Sequence, residues 1–124
     1  MARTHRILVA DDDAMVRMVM RTVLAYQGHQ VEEAADGQEA VEKFALQPDR
    51  LDLVMLDQNM PGMSGSETLA KLRRLNPDLK AVLLSGGVFE GGATDENKYT
   101  RYLPKPFVNE ELIEIVGSLL GQND

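Results

Sequence analysis

The sequence predicts an α/β fold: a parallel sheet covered by helices on both faces. Three observations carry this reading. Short apolar runs alternate with stretches whose apolar residues recur at helical spacing. Capping signals sit between the two kinds of stretch. Three apolar runs also end on charged residues, at Asp11, Asp57 and Lys105, as strand ends presenting polar groups to one edge would. Strand-helix alternation of this kind requires crossover helices, which cover both faces of a parallel sheet.

The first strand is Arg6-Ile7-Leu8-Val9-Ala10, and it stops at Asp11-Asp12-Asp13. After Asp13, placed as the helix cap, Val16, Val19, Met20 and Val23 form one apolar stripe of a helix ending near Gly28. Arg17 and Arg21 lie off that stripe. A second strand from Gln30 to Ala34 leads to Asp36-Gly37-Gln38-Glu39, where Asp36 caps and Glu39 reaches back, and a helix runs through Phe44. The third strand, Leu51-Asp52-Leu53-Val54-Met55-Leu56, ends at Asp57. The following Gln58-Asn59-Met60-Pro61-Gly62 neither continues a strand nor begins a helix.

Ser64-Gly65-Ser66-Glu67 repeats the capping box, Leu69 and Leu72 mark the third helix, and Asn76-Pro77 ends it. A fourth strand, Ala81-Val82-Leu83-Leu84, ends at Ser85, and a fifth, Tyr102-Leu103-Pro104, runs into Lys105. The last helix starts near Val108 or Asn109 with Leu112, Ile113, Val116, Leu119 and Leu120 on one side. Gly117 within it costs roughly 1 kcal/mol relative to alanine. Between Ser85 and Tyr102 the chain is glycine-rich, and only Asp95-Glu96-Asn97-Lys98-Tyr99 has the makings of a turn or two of helix. The helix of the fourth crossover is therefore expected to be short or irregular.

With 124 residues, 44% of them hydrophobic, the expectation is one domain over residues 1–124 with no output domain. Zero cysteines exclude disulfides, thiol nucleophiles and thiolate metal sites. Any metal must then be held by oxygen or by His5 and His29, both assigned neutral surface roles. Met15, Met18, Met20, Met55, Met60 and Met63 are assigned to core and loop packing. The basic start, Met1 to Arg6, lacks a following apolar stretch of signal-peptide length, and no run approaches a membrane span, so a soluble, cytoplasmic protein is expected. A net charge of -7 argues against direct nucleic-acid binding.

In an open parallel sheet, ligands bind beyond the carboxyl ends of the strands. Asp11, Asp12, Asp57, Ser85 and Lys105 all fall there. Crowded carboxylates repel and bind protons unless a cation intervenes, and a hard divalent ion such as magnesium takes oxygen ligands and keeps several waters. Such a site suits phosphoryl transfer, which needs positioning and charge neutralisation. Asp57 would be the nucleophile, forming an aspartyl phosphate. Lys105 would neutralise one phosphoryl oxygen and the Ser85 hydroxyl would donate to another. Taken singly, Asp12 or Asp13 reads as an ordinary cap, Ser85 as a turn former, Lys105 as a loop residue and Tyr102 as a half-buried strand residue. A calcium loop over Asp11 to Asp13 fails, because its sixth and twelfth places hold Val16 and Thr22.

The order Ile7-Leu8-Val9-Ala10-Asp11-Asp12-Asp13, Asp36-Gly37, Met55 through Gly65, Leu84-Ser85-Gly86 and Tyr102-Leu103-Pro104-Lys105-Pro106-Phe107 resembles the receiver domain of bacterial two-component response regulators over essentially the whole chain. The resemblance implies a five-stranded parallel sheet of order 2-1-3-4-5. It implies Mg2+ (or Mn2+), with Asp12 as a direct ligand, Asp11 binding through water, Asp57 as phosphoacceptor and metal ligand, and the Asn59 backbone carbonyl completing the site. Ser85 and Tyr102 become the switch pair, Lys105 the phosphate-contacting lysine, and the Lys105–Pro106 bond cis. Asp13 has no role in the family.

Such a domain catalyses its own phosphorylation and dephosphorylation. Its partners would be a histidine kinase or histidine phosphotransfer protein and an unknown downstream protein, with no nucleic acid or membrane, as a monomer or weak dimer. Two other readings compete. A haloacid dehalogenase-type phosphatase would use Asp11 and Asp13, but Met15 stands where threonine or valine is expected, no acidic pair follows Lys105, and Asp57 has no purpose. A pseudo-receiver acting without phosphorylation has no reason to keep this charge cluster.

Overall fold

Five strands pair in parallel in the order β2-β1-β3-β4-β5: β1 (Arg6–Ala10), β2 (Gln30–Ala34), β3 (Leu53–Asp57), β4 (Lys80–Ser85) and β5 (Thr100–Pro104). The structure, a computed structural model, describes residues 4–48, 50–86 and 99–121. Four helices complete the described chain: α1 (Ala14–Tyr26), α2 (Gly37–Leu46), α3 (Gly65–Leu75) and α4 (Asn109–Leu120). The register sets Ala10 beside Leu56, Asp57 beside Leu84 and Ser85 beside Pro104. The residues that follow β1, β3, β4 and β5 therefore emerge at one edge.

Alternation along the strands divides the interior in two. Leu8, Ala10, Val54, Leu56, Ala81 and Leu83 pack with Phe44, Leu69 and Leu72 beneath α2 and α3. Ile7, Val9, Leu53, Met55, Val82 and Leu84 pack with Met20, Leu24, Leu112, Val116 and Leu119 beneath α1 and α4. A strand buried on both faces has no polar face, which is why β1, β3 and β4 read as unbroken apolar runs. Each fully buried leucine or isoleucine contributes about 1.5–3 kcal/mol, so this packing, more than helix propensity, holds the short helices.

The caps match their sequence signals. The Asp13 side chain accepts from the backbone N–H of Met15 and Val16, and that of Asp36 accepts from Glu39. Ser64 and Glu67 form both bonds of the capping box. Glu39 instead reaches the N–H of Ala35, one residue outside the cap. No side chain caps α4, but Glu111 accepts from the Val108 N–H at 2.9 Å. Among the described residues no helix is long and apolar enough to cross a membrane.

The expectations for the apolar stripe of α1 and for the two histidines are corrected. Val19 leaves the apolar stripe of α1 and is exposed, as are Met15 (65% exposed) and Met18. The sheet and α4 cover only the strip of α1 centred on Met20 and Leu24, with Val16 and Val23 against it. Met15 and Val19, four apart, share one flank of that strip beyond the reach of the sheet. His5 and His29 are buried rather than on the surface, with ring centroids 5.6 Å apart and the His5 N–H directed at His29 Nδ1, 3.4 Å away. Pairing continues past β1 here, since Gln30 N–H donates to the His5 carbonyl at 2.9 Å. The short helix expected at 95–99 lies outside the described residues apart from Tyr99, which occupies a turn.

Burial lowers the pKa of His29, nearby His5 lowers it further, and Asp52 opposes them. The folded chain thus holds this proton less readily than the unfolded chain, whose histidine titrates near 6.5. The His29 contribution is present above that value and lost as pH falls through it. Urea unfolding should show stability declining between about pH 7.5 and 5.5. His29→Gln should flatten that decline; an unchanged slope would show that His29 is not its source.

Candidate functional site

Asp11 follows the last residue of β1 and is wholly buried, Asp57 is the last residue of β3 and 4% exposed, and Asp12 faces solvent. One carboxylate oxygen from each lies within 4.8 Å of the others. Lys105, just past β5, sends its ammonium to Asp11 Oδ2 at 2.9 Å and to Asp57 Oδ1 at 3.5 Å. Its backbone N–H donates to the Ser85 carbonyl at 2.7 Å, and its peptide bond to Pro106 is cis. The ends of β4 and β5 therefore aim this lysine into the acidic cluster.

The other expected residues are placed as follows. Asn59 is exposed, and its N–H donates to Asp57 Oδ1 at 3.2 Å. Ser85 is buried at the end of β4, two residues beyond Leu83, so both side chains take the same sheet face. Tyr102, opposite Leu83 in the register, is partly buried against the α2–α3 side of the core. Asp13 commits its side chain to the cap of α1. That leaves a phosphatase pair of Asp11 and Asp13 without its second carboxylate.

Sequence reasoning missed the residues that hold these groups in place. Gln58 N–H donates to the Leu84 carbonyl at 2.7 Å, and Gln58 Oε1 accepts from both the N–H and the hydroxyl of Ser66 at 2.9 Å. The loop after Asp57 is thereby tied to β4 and to the start of α3. Gly65, read only as part of a capping box, permits a close approach: a Cβ there would lie 2.7 Å from the Asp57 carbonyl oxygen and 3.0 Å from Gln58 Cα. Arg17 donates to the Asp11 carbonyl at 2.6 Å. Its signal was present, a cation off the apolar stripe one turn past the acidic run, but a solvent-facing arginine reads the same.

Burial pushes the Asp57 carboxyl up in pKa, opposed by the Asn59 N–H, reinforced by the charge of Asp11 and opposed again by Lys105. For Lys105, burial works against the charge but is outweighed by the hydrogen bond and charge of Asp11 and by Asp57, so its pKa is raised. Three carboxylates lie together, and one ammonium reaches two of them. The remaining negative charge and the all-oxygen donor set fit a hard divalent cation.

Residues 7–117 match the sequence model of the "Response regulator receiver domain" family. The chain belongs to that family: it is a receiver domain of two-component response regulators. It is 42% identical over 117 residues to the response regulator MprA of Mycolicibacterium vanbaalenii, covering 93% of this chain and 50% of that protein. The chain thus spans about half the length of the curated relatives it matches. Two solved structures share its fold. A CheY-like receiver domain protein from Methanospirillum hungatei has a TM-score of 0.85 at 27% identity, covering 97% of this chain and 96% of the other. TrrA from Thermotoga maritima, solved in complex with Mg(2+)-BeF, has a TM-score of 0.79 at 34% identity, covering 94% and 99%.

Two substitutions test this geometry. Asp57→Asn removes a carboxylate whose ionised form burial disfavours while Lys105 keeps Asp11 as partner. Without metal it should raise stability by roughly 1 kcal/mol, a few degrees in Tm by calorimetry; a lower Tm would contradict the electrostatic account. Gly65→Ala forces a Cβ onto the Asp57 backbone and should destabilise by about 1–3 kcal/mol in chemical denaturation, whereas a neutral result would mean the loop yields freely.

Proposed function

We propose that Asp57 accepts a phosphoryl group from a phosphohistidine on a histidine kinase or histidine phosphotransfer protein, with Mg2+ or Mn2+ held by Asp11, Asp12, Asp57 and the Asn59 backbone carbonyl. The observation that carries this reading is the convergence of three carboxylate oxygens within 4.8 Å of one another, two of whose residues share one ammonium. An Asp57 carboxylate oxygen attacks the phosphorus in line, the P–N bond to the donor histidine breaks, and the bonding pair leaves with the imidazole. Asp11, Asp12 and Asp57 would hold a divalent ion that would supply neutralisation of charge on the phosphoryl oxygens. Lys105 donates to one of those oxygens from its place beside Asp57, and the Ser85 hydroxyl donates to another.

Movement of Ser85 toward the phosphoryl group would free space on the sheet face it shares with Tyr102, which follows; the pair forms a two-state element. Water attack on the same phosphorus, assisted by the same groups, resets the domain, so phosphorylation and dephosphorylation are both its own chemistry. We read residues 1–124 as one receiver unit of a cytoplasmic pathway.

The donor must bring its phosphohistidine to the edge where Asp57 lies. Beside Lys105 an open apolar groove of about 520 Å³ is lined by Met15, Val16, Val19, Pro106 and Phe107. Its place next to the transfer site fits it to the apolar surface of the phosphodonor protein, and it accounts for the exposed Met15 and Val19.

With Mg2+ and a small phosphodonor such as phosphoramidate, mass spectrometry should find one added phosphoryl group, on Asp57. Labelling of Asp57→Asn to the same extent would refute the assignment. Met15→Glu should slow transfer from a phosphorylated protein donor roughly tenfold or more, a loss of at least about 1.4 kcal/mol, while leaving small-donor labelling unchanged. Equal slowing with both donors would argue against docking at the groove.

A further inference from the structure

We infer that Arg17 is a positioning residue for the metal site, acting through the peptide unit that joins Asp11 to Asp12. This rests on the reading that those two carboxylates bind the divalent ion. Arg17 Nη1 donates to the Asp11 carbonyl at 2.6 Å, while its Nε donates to Glu33 Oε1 at 3.2 Å. Glu33, on β2, directs its other oxygen to Arg21 Nε at 2.8 Å. The Arg17 side chain is 17% exposed and that of Arg21 50%.

The Asp11 carbonyl oxygen lies in the rigid plane of the Asp11–Asp12 peptide. A change in ψ of Asp11 that φ of Asp12 does not compensate turns one Cα–Cβ bond relative to the other and so displaces the two carboxylates. The preceding peptide unit, Ala10–Asp11, is fixed by β-pairing, through the Asp11 N–H to the Ala34 carbonyl at 3.2 Å. Beyond β1 the ladder ends, and the guanidinium takes over. A planar fork serves two acceptors in fixed directions, and Glu33 sets the direction of the fork. A bond from a cation to a neutral carbonyl is also stronger than one between neutral groups.

A simple anchoring role for α1 is already filled by Arg21 on the same carboxylate, and exposed ion pairs contribute little. Only Arg17 of the two arginines bonds the Asp11 carbonyl. Coulomb's law and the positioning role also predict effects of opposite sign. Removing a positive charge beside an acidic pocket should tighten a divalent cation, whereas freeing the peptide should weaken it.

The test is calorimetric titration of the metal-free chain with Mg2+, alongside thermal melts. Arg17→Gln should bind Mg2+ about tenfold more weakly than wild type. Arg21→Gln should bind as well as wild type or better. Arg17→Lys, which keeps the charge and helix propensity but loses the fork, should be roughly threefold weaker, and serves where glutamine lowers the melting temperature too far for titration. Phosphorylation by phosphoramidate should show the same shift in the Mg2+ concentration for half-maximal rate, with the rate at saturating Mg2+ retained. Binding by Arg17→Gln or its lysine substitute equal to or tighter than wild type, or equal weakening in Arg21→Gln, would overturn the inference. No Mg2+ binding by wild type would overturn the metal reading and this one with it; binding by wild type with unaffected Arg17 variants overturns this one alone.

Discussion

Two carboxylates that the fold has withdrawn from water, Asp11 and Asp57, share a single ammonium, Lys105. Two unit charges 4 Å apart interact by about 4 kcal/mol at the effective dielectric of a protein surface, so small displacements of these groups carry large energies. The cluster is tolerable only if its members are held. Three different strands carry them, and the sheet order β2-β1-β3-β4-β5 makes those strands reachable from one edge. Because β1, β3 and β4 are buried on both faces, the strand ends are fixed by packing that has no connection with the charges themselves.

Around that edge, the supporting contacts are made largely by backbone and by residues of ordinary type. Gln58 ties the loop after Asp57 to β4 and α3, Gly65 allows α3 to start against the Asp57 carbonyl, and the Ser85 carbonyl holds the backbone of Lys105. Each of these lies within one or two contacts of a charged group. The site is thus preorganised from below by the sheet and from the sides by loops with little freedom.

The legibility of these features in the sequence follows from their range. β1 was readable to the residue, because an apolar run bounded by polar residues is a local signal. The cluster of Asp11, Asp12, Asp57, Ser85 and Lys105 was readable too, since strand ends of a parallel sheet share an edge whatever their separation along the chain. The burial of His5 and His29 was not, since it depends on β1 pairing with β2 beyond the end of the apolar pattern. Nor was the exposure of Met15 and Val19: periodicity gives the direction of an apolar flank, not where the neighbouring elements stop. Gly65 was visible as a capping residue, but its close approach to Asp57 depends on the path of a loop.

Under the proposed function, the lysine would also link charge to conformation. Its ammonium lies nearer Asp11 than Asp57, at 2.9 against 3.5 Å, and it is anchored through its backbone to Ser85. Under the proposed chemistry, a phosphoryl group on Asp57 would add negative charge on the side where Lys105 is now more distant. That charge would pull the ammonium away from Asp11 and toward the new phosphoryl oxygens. The backbone of Lys105 is bonded to Ser85, whose hydroxyl under that proposal would donate to the same phosphoryl group, so the ends of β4 and β5 would feel one displacement rather than two. Ser85 and Tyr102 occupy neighbouring strands on one face, and that is the face through which a charge added at Asp57 would be felt as a change of packing.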